Sequence, residues 1–317
     1  MRILIFGTGV IGSVYGGRLI AAGHDIVLLA RGGRLRDLRE SGLVLQDAQT
    51  GHRTALPVTV VAAPEPGDQF DLVVAPVRRD QLPDTLPLLT ALSGGPDVLF
   101  FGNALGRVSE LAAALGGRAV FGFPAVGGVR DGATIRYVLI RQQKTMLGEA
   151  SGAATPRLRR LQSVFSAAGF PTTMTADVPG WLTAHAAFVV PIAYALYRDD
   201  TDAVMLSKDP VTVRQMVRAT RQAFQALRTA GNRQIPGNLR ALYLGLPEVF
   251  AVHYWRRVLA SPRGELWFAA HSRAAPEEMA SLASELVTAV RRTGRPSPDL
   301  DALLAASSLA AQADRED

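Results

Sequence analysis

The chain has 317 residues, of which 48% are hydrophobic and 20% are charged. This length and composition predict an ordinary globular protein of two domains with ample core. There is no cysteine, which excludes disulfides, thiolate metal sites and cysteine nucleophiles. The histidines show no metal-ligand spacing, so no metal site is expected.

The positive charge of the chain comes almost wholly from arginine. The formal net charge is +6, and the two lysines are Lys144 and Lys208. The arginines are dispersed singly or in pairs, and no basic run is interleaved with aromatic residues as in a nucleic-acid-binding module. We therefore expect no nucleic-acid partner, and we attribute the charge to composition and to attraction for anionic small molecules.

No part of the sequence is typical of a leader or a membrane span. Met1 and Arg2 lead straight into an apolar strand with no cleavage-like segment. The longest apolar run, residues 186–196, is too short to cross a bilayer and contains Pro191. The expectation is a soluble, cytoplasmic protein with no membrane partner.

The first predicted elements are a strand, a glycine-rich turn and a helix. The apolar residues 3–6 predict a buried strand, and residues 10–22 are small and apolar enough for a helix packed on it. Between them, Gly7, Gly9 and Gly12 have the G-x-G-x-x-G spacing of a dinucleotide-binding loop. Gly7 permits a tight turn, Gly9 lets the backbone approach a pyrophosphate, and Gly12 lets helix and strand pack closely.

The whole loop is predicted to bind the phosphates of a dinucleotide. Its residues are Gly7, Thr8, Gly9, Val10, Ile11 and Gly12. The N-terminus of the following helix offers free N–H groups and a positive dipole end to phosphates. The spacing alone is weak evidence, but here it follows one apolar strand and precedes a second, residues 25–30. A glycine turn without a ligand is the alternative.

The residue after the second strand favours NADP over NAD. An NAD site usually places Asp or Glu there for the ribose 2′-hydroxyl, whereas a cation suits a 2′-phosphate. This chain has Arg31 at that point, with Arg34 as a second candidate, and no carboxylate nearby in sequence. The alternative is that Arg31 is a solvated surface charge.

The remaining N-terminal residues, up to about Glu149, alternate between short apolar strands and amphipathic helices, which predicts a mostly parallel sheet. In chain order, the pattern predicts a helix at 35–41, strands at 43–45 and 58–61 that flank a polar hairpin at 49–52, a strand at 71–75 and a helix at 81–92. It then predicts a strand at 97–101, a helix up to residue 115, strands at 119–123, 134–140 and 143–148, and a helix at 157–168.

Beyond about Thr172 strand-like alternation is nearly absent. Helical periodicity is found at residues 181–198, 211–230, 239–244, 248–259, 277–293 and 300–313. The second half is therefore predicted to be an all-helical domain, with the boundary within residues 170–179. The last residues, 314–317, are expected to fray.

The order of these features resembles the ketopantoate reductase (2-dehydropantoate 2-reductase) family over nearly the whole chain. The residues that carry the resemblance are the loop Gly7–Gly12, Asp71–Arg78 after a core strand, Phe101–Gly106 with Asn103, the turn Arg130–Gly132, the helix led by Trp181, and Glu278 followed by Gly294 and Pro296–Pro298. No single motif is decisive, but their order and spacing together are fairly specific.

The resemblance implies an α/β Rossmann-type N-terminal domain, residues 1–172, that binds NADP. An all-α C-terminal domain like that of 6-phosphogluconate dehydrogenase, residues 173–317, would follow, with the active site in the cleft between the two. The family's reaction is NADPH-dependent reduction of a 2-keto acid to a 2-hydroxy acid. Such a reaction needs a proton donor, a carboxylate clamp and a dry cleft.

Roles for three further residues follow from the resemblance. Asn103 would contact the nicotinamide ribose and the substrate, and Glu278 would touch the cofactor from the helical domain. Arg78 stands where the family has a lysine, and it keeps a cation near cofactor phosphate or substrate carboxylate.

The helix after Trp181 departs from the family pattern. The family carries its proton-donating lysine two residues past the tryptophan, with asparagines one and two turns later. This chain has Thr183, Ala187 and Pro191 at those positions, and a register shift of one residue supplies neither lysine nor asparagine. Thr183 therefore occupies the donor position but is no proton reservoir, so a bound water would have to supply the proton.

His185 and His271 are two other candidates for the site. Two residues along a helix correspond to about 200° of rotation, so His185 should face away from Thr183, towards the helical core. No sequence spacing fixes the place of His271.

These observations predict an NADP-dependent oxidoreductase acting on a small-molecule carbonyl, with ketopantoate itself in doubt. The alternative from another class is a catalytically decayed NADP-binding sensor or partner-binding protein, which needs no proton donor. A 3-hydroxy-acid-type or 6-phosphogluconate-type dehydrogenase is a weaker alternative, because a suitably placed lysine is missing there too. The sequence leaves the oligomeric state open, with a homodimer as one candidate.

Overall fold

The computed structural model describes residues 1–306, which form two compact units. The first unit runs from Met1 to Val178, and the second begins at Pro179. The first unit extends beyond the boundary expected at residue 172, because residues 172–175 add one more parallel strand to its sheet.

The N-terminal unit is built on an eight-stranded, mostly parallel sheet. Its strands are β1 (Arg2–Phe6), β2 (Asp25–Leu29), β5 (Thr59–Val61), β6 (Leu72–Ala75), β7 (Asp97–Phe101), β8 (Ala119–Phe123), β11 (Thr145–Gly148) and β12 (Thr172–Thr175). Their order across the sheet is β5-β2-β1-β6-β7-β8-β11-β12, with β11 antiparallel to β8. The chain leaves β1 towards β2 on one side and returns to β6 on the other, so the strand order reverses beside β1, where open α/β sheets bind ligands.

A second, four-stranded sheet lies in the same unit. Its strands are β3 (Leu43–Asp47), β4 (Arg53–Leu56), β9 (Val126–Asp131) and β10 (Thr134–Leu139), in the order β4-β3-β10-β9. The predicted hairpin around residues 49–52 is present, but its second strand is β4. The prediction of residues 58–61 as that second strand was wrong, because Thr59–Val61 pairs in parallel with β2 in the first sheet.

The helices of this unit follow their strands in alternation. They are α1 (Val10–Ala21), α2 (Gly32–Ser41), α3 (Leu82–Thr90), α4 (Val108–Ala114) and α5 (Pro156–Ala167), with one 3₁₀ turn at Arg79–Gln81 before α3. The α5 helix begins one residue before its predicted start, with Pro156 at its first position. The Thr155 hydroxyl caps it by accepting a hydrogen bond from the Leu158 N–H at 3.2 Å.

Helix α1 contacts both sheets, and its glycines make this possible. A Cβ on Gly16 would be 3.2 Å from Leu28 of the first sheet, and a Cβ on Gly17 would be 2.6 Å from Leu45 of the second. Larger side chains at these positions would push the helix off one sheet or the other. The glycine loop that precedes α1 is therefore held by packing on two sides.

Tyr15 of α1 is the polar group at the centre of this core. Its ring is fully buried and stacks on Phe170 with ring centroids 3.8 Å apart. Its Oη lies 2.6 Å from Thr145 Oγ1, and it accepts a hydrogen bond from the Ala125 N–H at 3.2 Å. Burial raises the pKa of Tyr15 well above its usual value. The hydroxyl thus links α1 to two segments distant in sequence.

Replacing Tyr15 with phenylalanine is expected to lower the free energy of unfolding by about 1–3 kcal/mol, because the substitution leaves the Ala125 N–H and the Thr145 hydroxyl buried without this partner. Urea unfolding followed by circular dichroism measures the loss. Tyr137→Phe is the matched control, since the Tyr137 hydroxyl makes no hydrogen bond to residues 1–306. Equal losses in the two variants would contradict the role given to the Tyr15 hydroxyl.

Helices are the regular secondary structure of the second unit in its described residues, and turns and loops connect them. Its helices are α6 (Val178–Tyr197, which starts at the last residue of the first unit), α7 (Ala203–Lys208), α8 (Pro210–Thr229), α9 (Gly237–Arg240), α10 (Glu248–Leu259), α11 (Pro262–Gly264), α12 (Ala270–Ala274), α13 (Pro276–Arg291) and α14 (Pro298–Ala305). Two segments, Ala241–Gly245 and Glu265–Ala269, are π-helical. The predicted fold class, an α/β Rossmann-type unit followed by an all-helical unit, is confirmed.

The helix predicted for residues 300–313 begins at Pro298 and is observed to Ala305. The rest of that prediction, and the fraying expected for residues 314–317, lie outside the described residues. The short helices α7, α11 and α12 were not predicted, because each is too short to show a full helical period.

Helix α6 is long and apolar enough to span a membrane, and it is the one such helix among residues 1–306. The helix meets this criterion by its length and composition only. Within its most apolar 18 residues, 67% are buried in the protein. A helix that is apolar on most of its surface and buried is typical of the core of a globular unit.

Candidate functional site

The glycine loop has the geometry that its spacing predicts. Gly7, directly after β1, has φ +122°, a conformation that side chains rarely adopt. A Cβ on Gly12 would be 2.0 Å from the Gly7 carbonyl oxygen and 2.9 Å from Ile5 Cγ2. Glycine is therefore needed at position 7 because of the backbone conformation of the turn. At position 12 it is needed because α1 packs closely on β1.

Gly9 differs from these two glycines. A Cβ added there meets no atom within 4 Å, and its φ of −68° suits any residue. It is the N-cap of α1, with no side-chain cap and no acidic residue in the first turn. Open space in front of uncapped N–H groups fits a phosphate-bearing ligand, which a side chain at this position would obstruct.

The other predicted cofactor residues of this unit lie at the same edge of the sheet. Phe6 of β1 pairs with Leu29 of β2, so Arg31 follows a strand that ends beside the loop. β6 and β7, the next two strands on the other side of β1, lead into Arg78 and Asn103. Parallel strands present their carboxyl ends at one edge, and the structure therefore brings these three residues to the edge that carries the loop.

Arg31 is an exposed cation at the start of α2. Its side chain forms no hydrogen bond or ion pair with other residues in the range 1–306. A guanidinium in this state is available to an anionic ligand, and water solvates it otherwise.

Arg78 and Asn103 are in more structured surroundings. The Arg78 guanidinium donates to both carboxylate oxygens of Asp80 at 3.2 Å each, which lowers the pKa of Asp80. Both side chains are partly exposed, so the pair is worth little to stability. Asn103 is 8% exposed, two residues after β7.

Arg34, named beside Arg31 as a candidate for the 2′-phosphate, differs from Arg31 because its guanidinium is engaged within the protein. It is 7% exposed, and its guanidinium points into the protein. Its Nε donates to the Thr8 carbonyl at 3.2 Å, and its Nη2 donates to Ser13 Oγ at 3.2 Å. Sequence reasoning missed this role, because the distance between Arg34 and Thr8 along the chain gives no sign of contact.

In the helical unit, Thr183 has its hydroxyl proton engaged. Thr183 Oγ1 donates to the Pro179 carbonyl, one turn earlier in α6, at 2.8 Å. The side chain is half-buried, and Ala187 and Pro191 on the same face are buried. The Thr183 oxygen can still accept a hydrogen bond from a water molecule. A catalytic role for Thr183 stays a prediction.

His185 stacks on Trp181, with ring centroids 5.4 Å apart and planes 6° from parallel. Burial, with a smaller contribution from His271, lowers the pKa of His185 to about 3. The imidazole is therefore neutral near pH 7 and is no ready source of a proton. His271 itself is exposed on α12.

Glu278 lies in the first turn of α13 and is 4% exposed. A carboxylate there is stabilised by the positive end of the helix dipole. Its predicted contact with the cofactor stays a prediction.

The two-unit fold and the glycine loop define a Rossmann-type protein with a helical second unit. Residues 3–152 match the family model for ketopantoate reductase PanE/ApbA. The N-terminal unit is therefore similar to this family, and the resemblance drawn from the sequence is confirmed.

Curated relatives match a little over half of the chain. A 2-dehydropantoate 2-reductase of Pyrococcus horikoshii is 26% identical over 183 residues, which are 57% of this chain and 58% of that protein. One of Mesorhizobium japonicum is 29% identical over 203 residues, 56% of this chain and 61% of that protein. The chain thus matches under two thirds of their length.

Solved structures extend the similarity of fold to the whole chain. A 2-dehydropantoate 2-reductase of Geobacter metallireducens superposes with a TM-score of 0.77 at 19% identity, covering 98% of this chain and 100% of that one. D-mandelate dehydrogenase in a ternary structure with NADH and anilino(oxo)acetate gives 0.71 at 16% identity, covering 96% and 97%. At these identities the likeness supports the fold.

Proposed function

We propose that this chain is an NADPH-dependent oxidoreductase that reduces a 2-keto acid, or a related carbonyl, to the hydroxy compound. The observation that carries the proposal is the glycine loop of a ketopantoate reductase-family unit, with Arg31 unengaged at the same edge of the sheet. D-mandelate dehydrogenase, whose structure contains NADH, has the same fold and supports a nicotinamide cofactor. Arg31 supports NADP as the form that this chain prefers.

A bound nicotinamide dinucleotide would supply hydride to the carbonyl carbon. The chain's own residues would hold it: the N–H groups at the start of α1 at the pyrophosphate, and Arg31 at the 2′-phosphate. Asn103 would orient the ribose and the substrate. Arg78 would hold an anionic group, for which it would exchange its exposed contact with Asp80. Glu278 would add a contact from the helical unit.

The proton for the developing alkoxide is proposed to come from water. Thr183 donates to the Pro179 carbonyl and keeps its oxygen lone pairs, so it can accept a hydrogen bond from a water but cannot itself protonate the substrate. Arginine is a poor substitute for the family's lysine, because its pKa is too high to release a proton.

The substrate is proposed to be more apolar than ketopantoate. Alanine and proline stand at positions 187 and 191, where the resemblance predicts asparagines, so fewer hydroxyl or amide groups of a substrate could be bound there. D-mandelate dehydrogenase, solved with anilino(oxo)acetate, supports a 2-oxo acid with an aromatic substituent. A cytoplasmic location and a homodimer remain proposals from the sequence.

A second candidate is an NADP-binding protein with little catalysis. The missing lysine and the engaged Thr183 hydroxyl favour this candidate. Both leave the site without a proton donor, which catalysis needs and cofactor binding does not. Both candidate functions predict that the protein binds NADPH, but only the first predicts that it reduces a substrate.

Wild-type protein and Thr183→Lys, assayed with NADPH against ketopantoate and phenylglyoxylate, test the proposal. We expect wild type to oxidise NADPH with phenylglyoxylate and to be slow with ketopantoate. Lysine at position 183 should bring little gain, because alanine at position 187 and proline at position 191 offer no side-chain hydrogen bond to a substrate. Thr183→Val is the control for loss of the hydroxyl.

The opposite pattern would favour the second candidate. A wild-type protein that binds NADPH but reduces neither substrate, together with a Thr183→Lys variant that gains activity by about 100-fold or more, as expected of a general acid, indicates a decayed site. Family-like rates of the wild type with ketopantoate would contradict the altered substrate.

A further inference from the structure

Arg34 joins three segments around the glycine loop. Besides Thr8 and Ser13, it reaches the turn between β9 and β10, where its Nη1 donates to the Ala133 carbonyl at 3.0 Å. The Ser13 hydroxyl in turn donates to the same Thr8 carbonyl at 3.1 Å. The planar guanidinium therefore fixes a loop, a helix and a turn with one set of donors.

These contacts decide which way the peptide between Thr8 and Gly9 points. The peptide unit is planar and trans, so its carbonyl and its N–H point in opposite directions. Two donors, Arg34 and Ser13, hold the Thr8 carbonyl towards the protein interior. The Gly9 N–H is therefore directed away from them, and it donates to no backbone carbonyl within residues 1–306.

Arg34 is also a buried cation whose bonding partners are all neutral. Its acceptors are two carbonyls and one hydroxyl, and no carboxylate of the described chain lies within ion-pair distance. Burial, followed by the neighbouring Arg130, lowers the pKa of Arg34, while Asp37 acts weakly in the opposite direction. A buried cation of this kind is costly for the fold alone, which points to a purpose beyond packing.

We propose that Arg34 is the positioning residue of the dinucleotide loop: by holding the Thr8 carbonyl inwards, it presents the Gly9 N–H to the pyrophosphate. The proposal rests on the proposed cofactor, and it does not depend on turnover. Because NADPH and NADH share the pyrophosphate, Arg34 must matter equally for both, in contrast to Arg31.

The test compares Arg34→Gln, Arg34→Lys and Arg36→Gln in the full chain, with dissociation constants for NADPH and NADH and with urea unfolding of the free protein. Arg36 is an exposed cation of the same helix, so its variant is the control for charge. We expect Arg34→Gln to weaken both dinucleotides by about tenfold or more, in equal measure. Arg36→Gln should stay within about twofold of wild type.

Arg34→Lys keeps the charge but loses the planar fork, so it should bind both dinucleotides more weakly than wild type. A merely structural role would lower the unfolding midpoint and leave the dissociation constants of the folded protein unchanged, which would overturn the proposal. Full affinity of Arg34→Lys, loss of NADPH binding alone, or a wild type that binds neither dinucleotide would also overturn it. A wild type that binds both but reduces no 2-oxo acid contradicts the proposed function and leaves this inference standing.

Discussion

Gly12→Ala is expected to lower the free energy of unfolding by about 3 kcal/mol and to abolish measurable cofactor binding. The added methyl group would lie 2.0 Å from the Gly7 carbonyl oxygen, a backbone atom that cannot turn aside. Ile5, the next neighbour at 2.9 Å, is completely buried. Alanine gains about 1 kcal/mol in helix propensity, which is too little to offset this overlap. Helix α1 must therefore move off β1 and take the loop with it.

Gly9→Ala is the matched control, three residues earlier in the same loop. Its methyl group meets no atom within 4 Å, and its backbone conformation suits alanine. We expect a loss of stability of at most about 1 kcal/mol, from the poorer N-cap. Affinity for NADPH should nevertheless fall by about tenfold or more, because the methyl group occupies the approach of the pyrophosphate.

Urea unfolding and cofactor titration of both variants separate the two effects. We expect Gly12→Ala to lose stability as well as cofactor binding. Gly9→Ala is expected to lose affinity for the cofactor with little loss of stability. If Gly12→Ala unfolds at the same urea concentration as wild type, α1 does not pack on β1 as closely as described. If Gly9→Ala binds NADPH like wild type, the loop does not hold a pyrophosphate.

The loop could be predicted from the sequence because its requirements are local. A turn at Gly7 and close packing at Gly12 follow from residues within one strand and one helix. Residues 58–61 show the limit of such reasoning: an apolar run predicts a strand but does not say with which strand it pairs. Thr59–Val61 joins β2, and the hairpin partner is the more polar Arg53–Leu56.

The orientation of side chains was the other limit. Arg31 and Arg34 look equivalent in sequence, yet one is exposed and the other is buried against Thr8. Likewise, the hydroxyl of Thr183 looks like an available donor, but its proton is engaged by the Pro179 carbonyl. Such contacts depend on which segments the fold brings together, and residue types alone do not fix them.

Arg31→Ala is expected to raise the dissociation constant of NADPH by about 10- to 100-fold and to change that of NADH by no more than about twofold. The 2′-phosphate distinguishes the two dinucleotides, and a charge-assisted hydrogen bond to it is worth about 1.5–3 kcal/mol. Arg31 is exposed and forms no competing bond among residues 1–306, so none has to be broken for this contact. Arg31→Asp should go further and favour NADH, because a carboxylate repels the phosphate and can accept from the ribose hydroxyl.

Arg39→Ala, on an exposed residue in the last turn of α2, removes the same charge farther along the chain and is the control. An equal loss of NADPH affinity in both variants would mean that net charge, and not a contact, attracts the cofactor. No change in Arg31→Ala would mean that Arg31 is a solvated surface charge. NADH would then be as good a candidate cofactor as NADPH. The ratio of the two affinities in wild type and Arg31→Ala therefore decides the cofactor independently of any substrate.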